Sequence, residues 1–100
     1  MRKYTGYKVM LYDKATNRAI SGADSRCSIE LRKGRTIQYG ENHFVTLDKE
    51  YAKSYYAVHE HNVIIEVEFY FYDIISGSLE DKETEISIKR SELIGWEILD

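Results

Sequence analysis

Carboxylates and phenols carry most of the chemical potential of this chain. Between positions 66 and 85 stand Glu66, Glu68, Glu80, Asp81, Glu83 and Glu85, with Tyr70 and Tyr72 interleaved. Carboxylates at such density can move protons, hold a cation or meet a basic surface, and tyrosine adds a large apolar ring with a polar tip suited to an interface. A second set is basic: Arg32, Lys33 and Arg35 surround Gly34, with Arg26 close by. Such a patch can contact phosphates while Tyr7 or Tyr39 stacks on a base. A third set is His59 and His61, which would share a face on a strand and could chelate a metal with His43 or Cys27. Histidines in a loop are ordinarily solvated, and a closed metal site needs four ligands at fixed spacing, so no metal is expected. Cys27 shares the apolar phase of Ile29 and Leu31 and reads as a small buried hydrophobe.

Bulk properties narrow the choice among these chemistries. The 100 residues are 43% hydrophobic and 31% charged, which fits one globular domain spanning 1–100. Proline is absent, and the single cysteine allows no intramolecular disulfide. No apolar run is long enough to cross a membrane, and the first residues lack the apolar core of a signal peptide, so a cytoplasmic protein without membrane contact is expected. The net charge of −3 conceals a division: residues 1–50 carry ten Lys/Arg against six Asp/Glu (+4), and residues 51–100 carry four against eleven (−7). The negative total argues against nucleic acid as the principal partner.

The elements that must position these side chains are mostly strands. Asn62–Asp73 alternates strictly, with Val63, Ile65, Val67, Phe69 and Phe71 on one face and Ile64, Glu66, Glu68, Tyr70 and Tyr72 on the other. It is expected to be one long central strand of roughly 33 Å. Tyr7–Asp13, His43–Leu47, Thr84–Lys89 and Trp96–Leu99 read as further strands, and Cys27–Arg32 with Arg35–Tyr39 as a hairpin around Lys33-Gly34. Thr46 or Asp48 can cap a helix running to about Ala57. The fold class expected is α+β: a curved, mostly antiparallel sheet of about six strands with one helix packed on it.

Two family resemblances bear on function. Glu83-Thr84-Glu85 at the start of a strand resembles the Glu-x-Glu signature of the ADP-ribosyltransferase superfamily, and His43-Phe44-Val45-Thr46 before a helix is similar to its middle motif. That resemblance implies an enzyme in which Glu85 holds the nicotinamide ribose of NAD. A broader one runs through Tyr7-Lys8-Val9, Gly34-Arg35-Thr36, His43-Phe44, Tyr55-Tyr56, Glu66-Val67-Glu68, Gly77-Ser78-Leu79 and Ile86–Leu93, in the order seen in short phage and prophage proteins of unknown function. It implies a protein of the anti-CRISPR kind, which blocks a host protein such as a CRISPR-type defence nuclease. The leading expectation is therefore a non-enzymatic binding protein without a cofactor. Its acidic, tyrosine-rich surface of Glu66, Glu68, Tyr70, Tyr72, Glu80, Asp81, Glu83 and Glu85 would meet a basic host surface. The alternatives are the NAD-using enzyme and a weak nucleic-acid binder acting through Arg32, Lys33 and Arg35.

Overall fold

The computed structural model describes residues 2–21, 24–38, 44–59, 62–80 and 85–99, the side chains of 21, 24–27 and 55–59 excepted. The described residues form nine strands and one helix: β1 (Lys3–Asp13), β2 (Arg18–Ser21), β3 (Asp24–Glu30), β4 (Thr36–Gln38), β5 (Phe44–Thr46), α1 (Lys49–His59), β6 (Val63–Tyr70), β7 (Ile74–Ser76), β8 (Glu85–Ile88) and β9 (Arg90–Ile98). All pairings are antiparallel, and the main sheet runs β4-β9-β6-β1-β5-β8-β7, with β2 on the end of β1 and β3 on β2. The α+β class is as expected, but with nine strands rather than about six. β2 and β7 are the strands the sequence pattern did not mark, and residues 90–95 join Trp96 in a single long strand.

β6 lies between β1 and β9, as a central strand should. Val63, Ile65, Val67 and Phe69 are buried in the main core with Met10, Val45, Ile86, Ile88 and Leu93. Sequence alternation carries the strand on to Asp73, and here the structure differs. β6 ends at Tyr70, and Phe71–Asp73 form one 3₁₀ turn. The turn rotates the side chains out of phase: Phe71 points outward at 65% exposure, while Asp73 is 4% exposed. Its carboxylate accepts the Tyr70 N–H at 3.0 Å, its carbonyl accepts the Lys89 N–H at 2.9 Å, and Ile74 N–H returns to the Phe71 carbonyl. Three backbone donors at the break are thereby satisfied.

The break bends a long hairpin. β6 and β7 follow one another in the chain, as do β8 and β9, yet β6 pairs with β9 and β7 with β8. The bend at 71–73 and Lys89 carries β8 away to pair with β5, on the far side of β1. The sheet must therefore curl around the core, and it stays open. Gly6 permits close packing under the curl: a Cβ there would lie 2.7 Å from Val45 Cγ2 and 3.2 Å from Phe69 Cε1.

The expected hairpin around Gly34 is not formed. β3 pairs back onto β2, where Ala19 and Ile29 lie opposite and are both buried. Gly34 N–H instead donates to the Leu93 carbonyl and Leu93 N–H to the Arg35 carbonyl, each at 2.8 Å, so β9 takes the turn and then β4. Asn17 supplies the left-handed residue (φ 54°) in the β1–β2 turn, and its amide donates to the Leu31 carbonyl.

The helix covers part of the other sheet face. Asp48 caps it by accepting the Glu50 N–H at 3.0 Å, as the sequence predicts. Ala52 is buried against Val9 and Ile64, with Tyr7 and Leu99 beside them. The helix runs through His59, beyond the expected end near Ala57.

Two substitutions test this account. Asp73→Ala leaves the Tyr70 N–H without its buried acceptor and should cost about 1–3 kcal/mol in urea unfolding. Ser91 is 4% exposed and opposite Ile37, and its hydroxyl has no hydrogen-bond partner among the described residues. Ser91→Ala should therefore be neutral or stabilising by up to about 1 kcal/mol in the same assay.

Candidate functional site

Strand register places the polar side chains on the helix-bearing face in rows. In one row Gly95, Glu66, Tyr7, Thr46 and Glu85 stand side by side across β9, β6, β1, β5 and β8. Glu66 and Glu85 are three strand spacings apart, about 14 Å. In the next row lie Thr36, Glu92, Glu68 and Thr5. In the row beyond, Lys3 lies opposite Tyr70, and Gln38 opposite Arg90.

Glu66 and Glu68 have partners within the chain. Tyr7 donates its hydroxyl to Glu66 Oε1 at 3.4 Å. Burial, and then the charge and hydrogen bond of Glu66, raise the Tyr7 pKa above its ordinary 10.0. Lys49, at the start of α1, pairs with Glu97 at 2.9 Å; that hydrogen bond lifts the lysine and lowers the carboxylate. Gly95 leaves space above Glu66, since a Cβ there would meet Oε2 only at 3.7 Å. A cavity of about 310 Å³ opens at this point between Lys33, Lys49 and Trp96. Glu68 lies 3.9 Å from Lys3 Nζ, and the same ammonium sits 5.6 Å from the centre of the Tyr70 ring. The basic first half of the sequence thus supplies cations to the acids of the second.

The remaining acids lie toward the folded-back end of the hairpin. Glu80 is exposed in the turn after β7, with its N–H on the Ser78 hydroxyl, and Glu85 is exposed at the start of β8. Asp81 and Glu83 fall outside the described residues. Tyr72 left the strand with the 3₁₀ turn, but its ring stacks on that of Tyr70, with centres 5.2 Å apart and planes inclined by 12°. The structure therefore brings Glu66, Glu68, Tyr70 and Tyr72 into one region and sets Glu80 and Glu85 apart from it.

Residues of the other candidate chemistries are dispersed. Thr46, at the serine position of the ADP-ribosyltransferase-like motif, is buried opposite Glu85, and its hydroxyl donates to the Asp48 carbonyl at 3.1 Å. Arg32 pairs with Glu30 at 3.7 Å, Arg35 donates to the Thr36 carbonyl at 3.2 Å, and Lys33 lines the smaller cavity. Arg26, Cys27, Tyr39, His43 and His61 lie outside the described residues or side chains, and His59 ends α1. Among the described residues no three His, Cys, Asp or Glu side chains are grouped as metal ligands, and no helix is long and apolar enough to cross a membrane.

Sequence reasoning missed Phe71 and Ile75, which are 65% and 52% exposed beside Tyr72 at 55%. It also missed Lys3, Arg90 and Glu92 as neighbours of the tyrosines. One signal was present: Asp73 occupies the inward phase of the expected strand, where a charge cannot stay without backbone donors around it.

The chain matches no family model, and no curated protein or solved structure is significantly similar to it.

The Tyr7–Glu66 contact is measurable. A raised phenol pKa favours the neutral ring in the folded state, so its contribution to stability is present below pH 10 and is lost as pH rises through the higher folded value. Ultraviolet titration should place Tyr7 above the exposed tyrosines, and Glu66→Gln should move it back toward them.

Proposed function

We propose that this chain is a non-catalytic interaction protein that binds and blocks a host protein through the bent end of its long hairpin. The observation that carries the reading is the exposure of Phe71, Tyr72 and Ile75 within five residues of chain, with Glu80 after β7 and Glu85 at the start of β8 also exposed. Large apolar side chains left outside in so short a segment mark a contact surface, and aromatic anchors contribute most to such contacts. The 3₁₀ turn puts Phe71 outside at the expense of the core, and β7 ends the strand order with one open edge among the described residues. Carboxylates around an apolar centre speed association with a positively charged surface and select for it.

Glu80 and Glu85, with Asp81 and Glu83 between them in the sequence, supply that acidic margin. The resemblance of the motif order to that of short phage proteins is the ground for a host target. A nucleic-acid-guided defence nuclease, whose channel must be basic to hold its guide, is a target of fitting charge. Glu66 and Glu68 belong to a different part of the surface, where Tyr7 and Lys3 hold them.

Affinity capture from host lysate tests the reading. The wild-type chain should retain a basic protein whose recovery falls with added salt. Phe71→Ser with Ile75→Ser, and separately Glu80→Lys with Glu85→Lys, should each reduce recovery at least about tenfold without altering thermal unfolding. Undiminished recovery with both double variants would place the interface elsewhere and overturn the proposal.

A further inference from the structure

A groove of about 640 Å³ runs over the end of the helix-bearing face that α1 leaves uncovered. Its floor is built from β4, β9, β6 and β1, and its wall from the 3₁₀ turn. Tyr70 and Tyr72 form the aromatic part. Tyr70 covers one face of the Tyr72 ring, and Tyr72 is still 55% exposed, which leaves its second face to solvent. A flat group of matching size can stack there, and every nucleobase has such a face.

Cations flank the rings on both sides. Lys3 stands over Tyr70 from β1. The register that sets Glu68 opposite Glu92 brings Arg90 alongside Tyr70 from β9, with Lys89 next to it in the bend. Lys89 and Arg90 are exposed, and neither side chain is ion-paired among the described residues. An unpaired guanidinium beside an open aromatic ring suits a phosphate attached to a stacked base, because it can bind the phosphate in bidentate fashion.

Of the three carboxylates that line the groove, Asp73 is held by the Tyr70 N–H, and Glu68 and Glu92 take a different part. Glu68 is held by Lys3, and Glu92 lies opposite both Glu68 and Thr36. Acceptors one row from the rings can receive the exocyclic amino group of a base, which is how acidic side chains read cytosine. A chain with only phosphate-binding residues would not distinguish bases; this row gives it a means to do so.

We infer that the open groove of the sheet is a nucleotide site, in which a base bearing an amino group stacks on Tyr72 and its phosphate lies between Lys3 and Arg90. The groove shares Tyr72 with the contact surface proposed above but none of Phe71, Ile75, Glu80 or Glu85, and the inference does not depend on a protein partner. Free nucleotide and single-stranded nucleic acid offer the same chemistry. Thr36, on the groove wall, directly follows the turn that bears Arg32, Lys33 and Arg35, and a strand continuing that way would meet further cations.

Amide-resolved NMR titration of the full chain with adenosine 5′-monophosphate, adenosine, inorganic phosphate and a six-residue single-stranded oligoadenylate tests this. The monophosphate should shift the amides of Tyr70, Tyr72 and Arg90, and adenosine and phosphate alone should each bind at least about fivefold more weakly. Tyr72→Ala should weaken monophosphate binding at least about tenfold and Arg90→Gln about fivefold, with the rest of the spectrum unchanged. Oligoadenylate binding tighter than the monophosphate and steeply salt-dependent would identify the source as a single strand; equal affinity would identify a free nucleotide. No shift at Tyr72 and Arg90 up to about 10 mM monophosphate, or binding indifferent to both substitutions, overturns the site.

Discussion

The shape of this protein depends on how one aspartate interrupts a strand. Asp73 lies where an apolar residue would have prolonged β6, and it is buried with its carboxylate on the Tyr70 N–H. A buried carboxylate without donors is costly, so the chain closes a 3₁₀ turn that supplies them. Everything beyond Tyr70 follows from that turn. The hairpin bends, β8 reaches β5 rather than continuing beside β6, and the sheet curls around Phe69, Ile86 and Ile88 instead of extending flat. Gly6 is the matching concession on β1, where Val45 and Phe69 leave no room for a side chain.

The second constraint is electrostatic. Adjacent carboxylates on a sheet face repel, and Glu68 with Glu92 is a cross-strand pair of that kind. The structure relieves it from the opposite half of the sequence. Lys3 reaches Glu68 from β1, Tyr7 gives Glu66 a hydroxyl, and Lys49 meets Glu97 from the helix. These contacts are partly or fully exposed, so each contributes little to stability, and their main effect is on where charge remains uncompensated. That leaves the hairpin end acidic and the bend at Lys89 and Arg90 basic.

Much of the fold was legible in local pattern. Period-two alternation marked Val63–Phe69 and the inward pair Ile86 and Ile88, and Asp48 announced the helix start. Pairing was not legible. Nothing in the run from Cys27 to Tyr39 shows that β3 turns back to β2 while β4 is taken by β9, because that choice rests on hydrogen bonds to Leu93, far along the chain. The same holds for the candidate site. Glu66, Glu68 and Tyr70 on one face follow from alternation, whereas Lys3, Arg90 and Glu92 become their neighbours only through register. Phe71 was misplaced because alternation was extrapolated through Asp73, a residue whose charge should have ended it.

The position of β1 also governs how the chain must assemble. The first strand of this sequence is an interior one: Lys3 pairs with Tyr70, Tyr7 with Thr46, and β6 with a strand that ends at Ile98. No two of the neighbours in the central run β9-β6-β1-β5-β8 are consecutive in the chain, so β1 joins β6 and β5 only through contacts distant in sequence. High contact order of this kind makes folding slow and delays it until nearly the whole chain is available. Until β6 is in place Val9 and Met10 lack their partners Ile64 and Val63, and like charges at Arg2, Lys3, Lys8 and Lys14 oppose pairing of such a strand with its own copies.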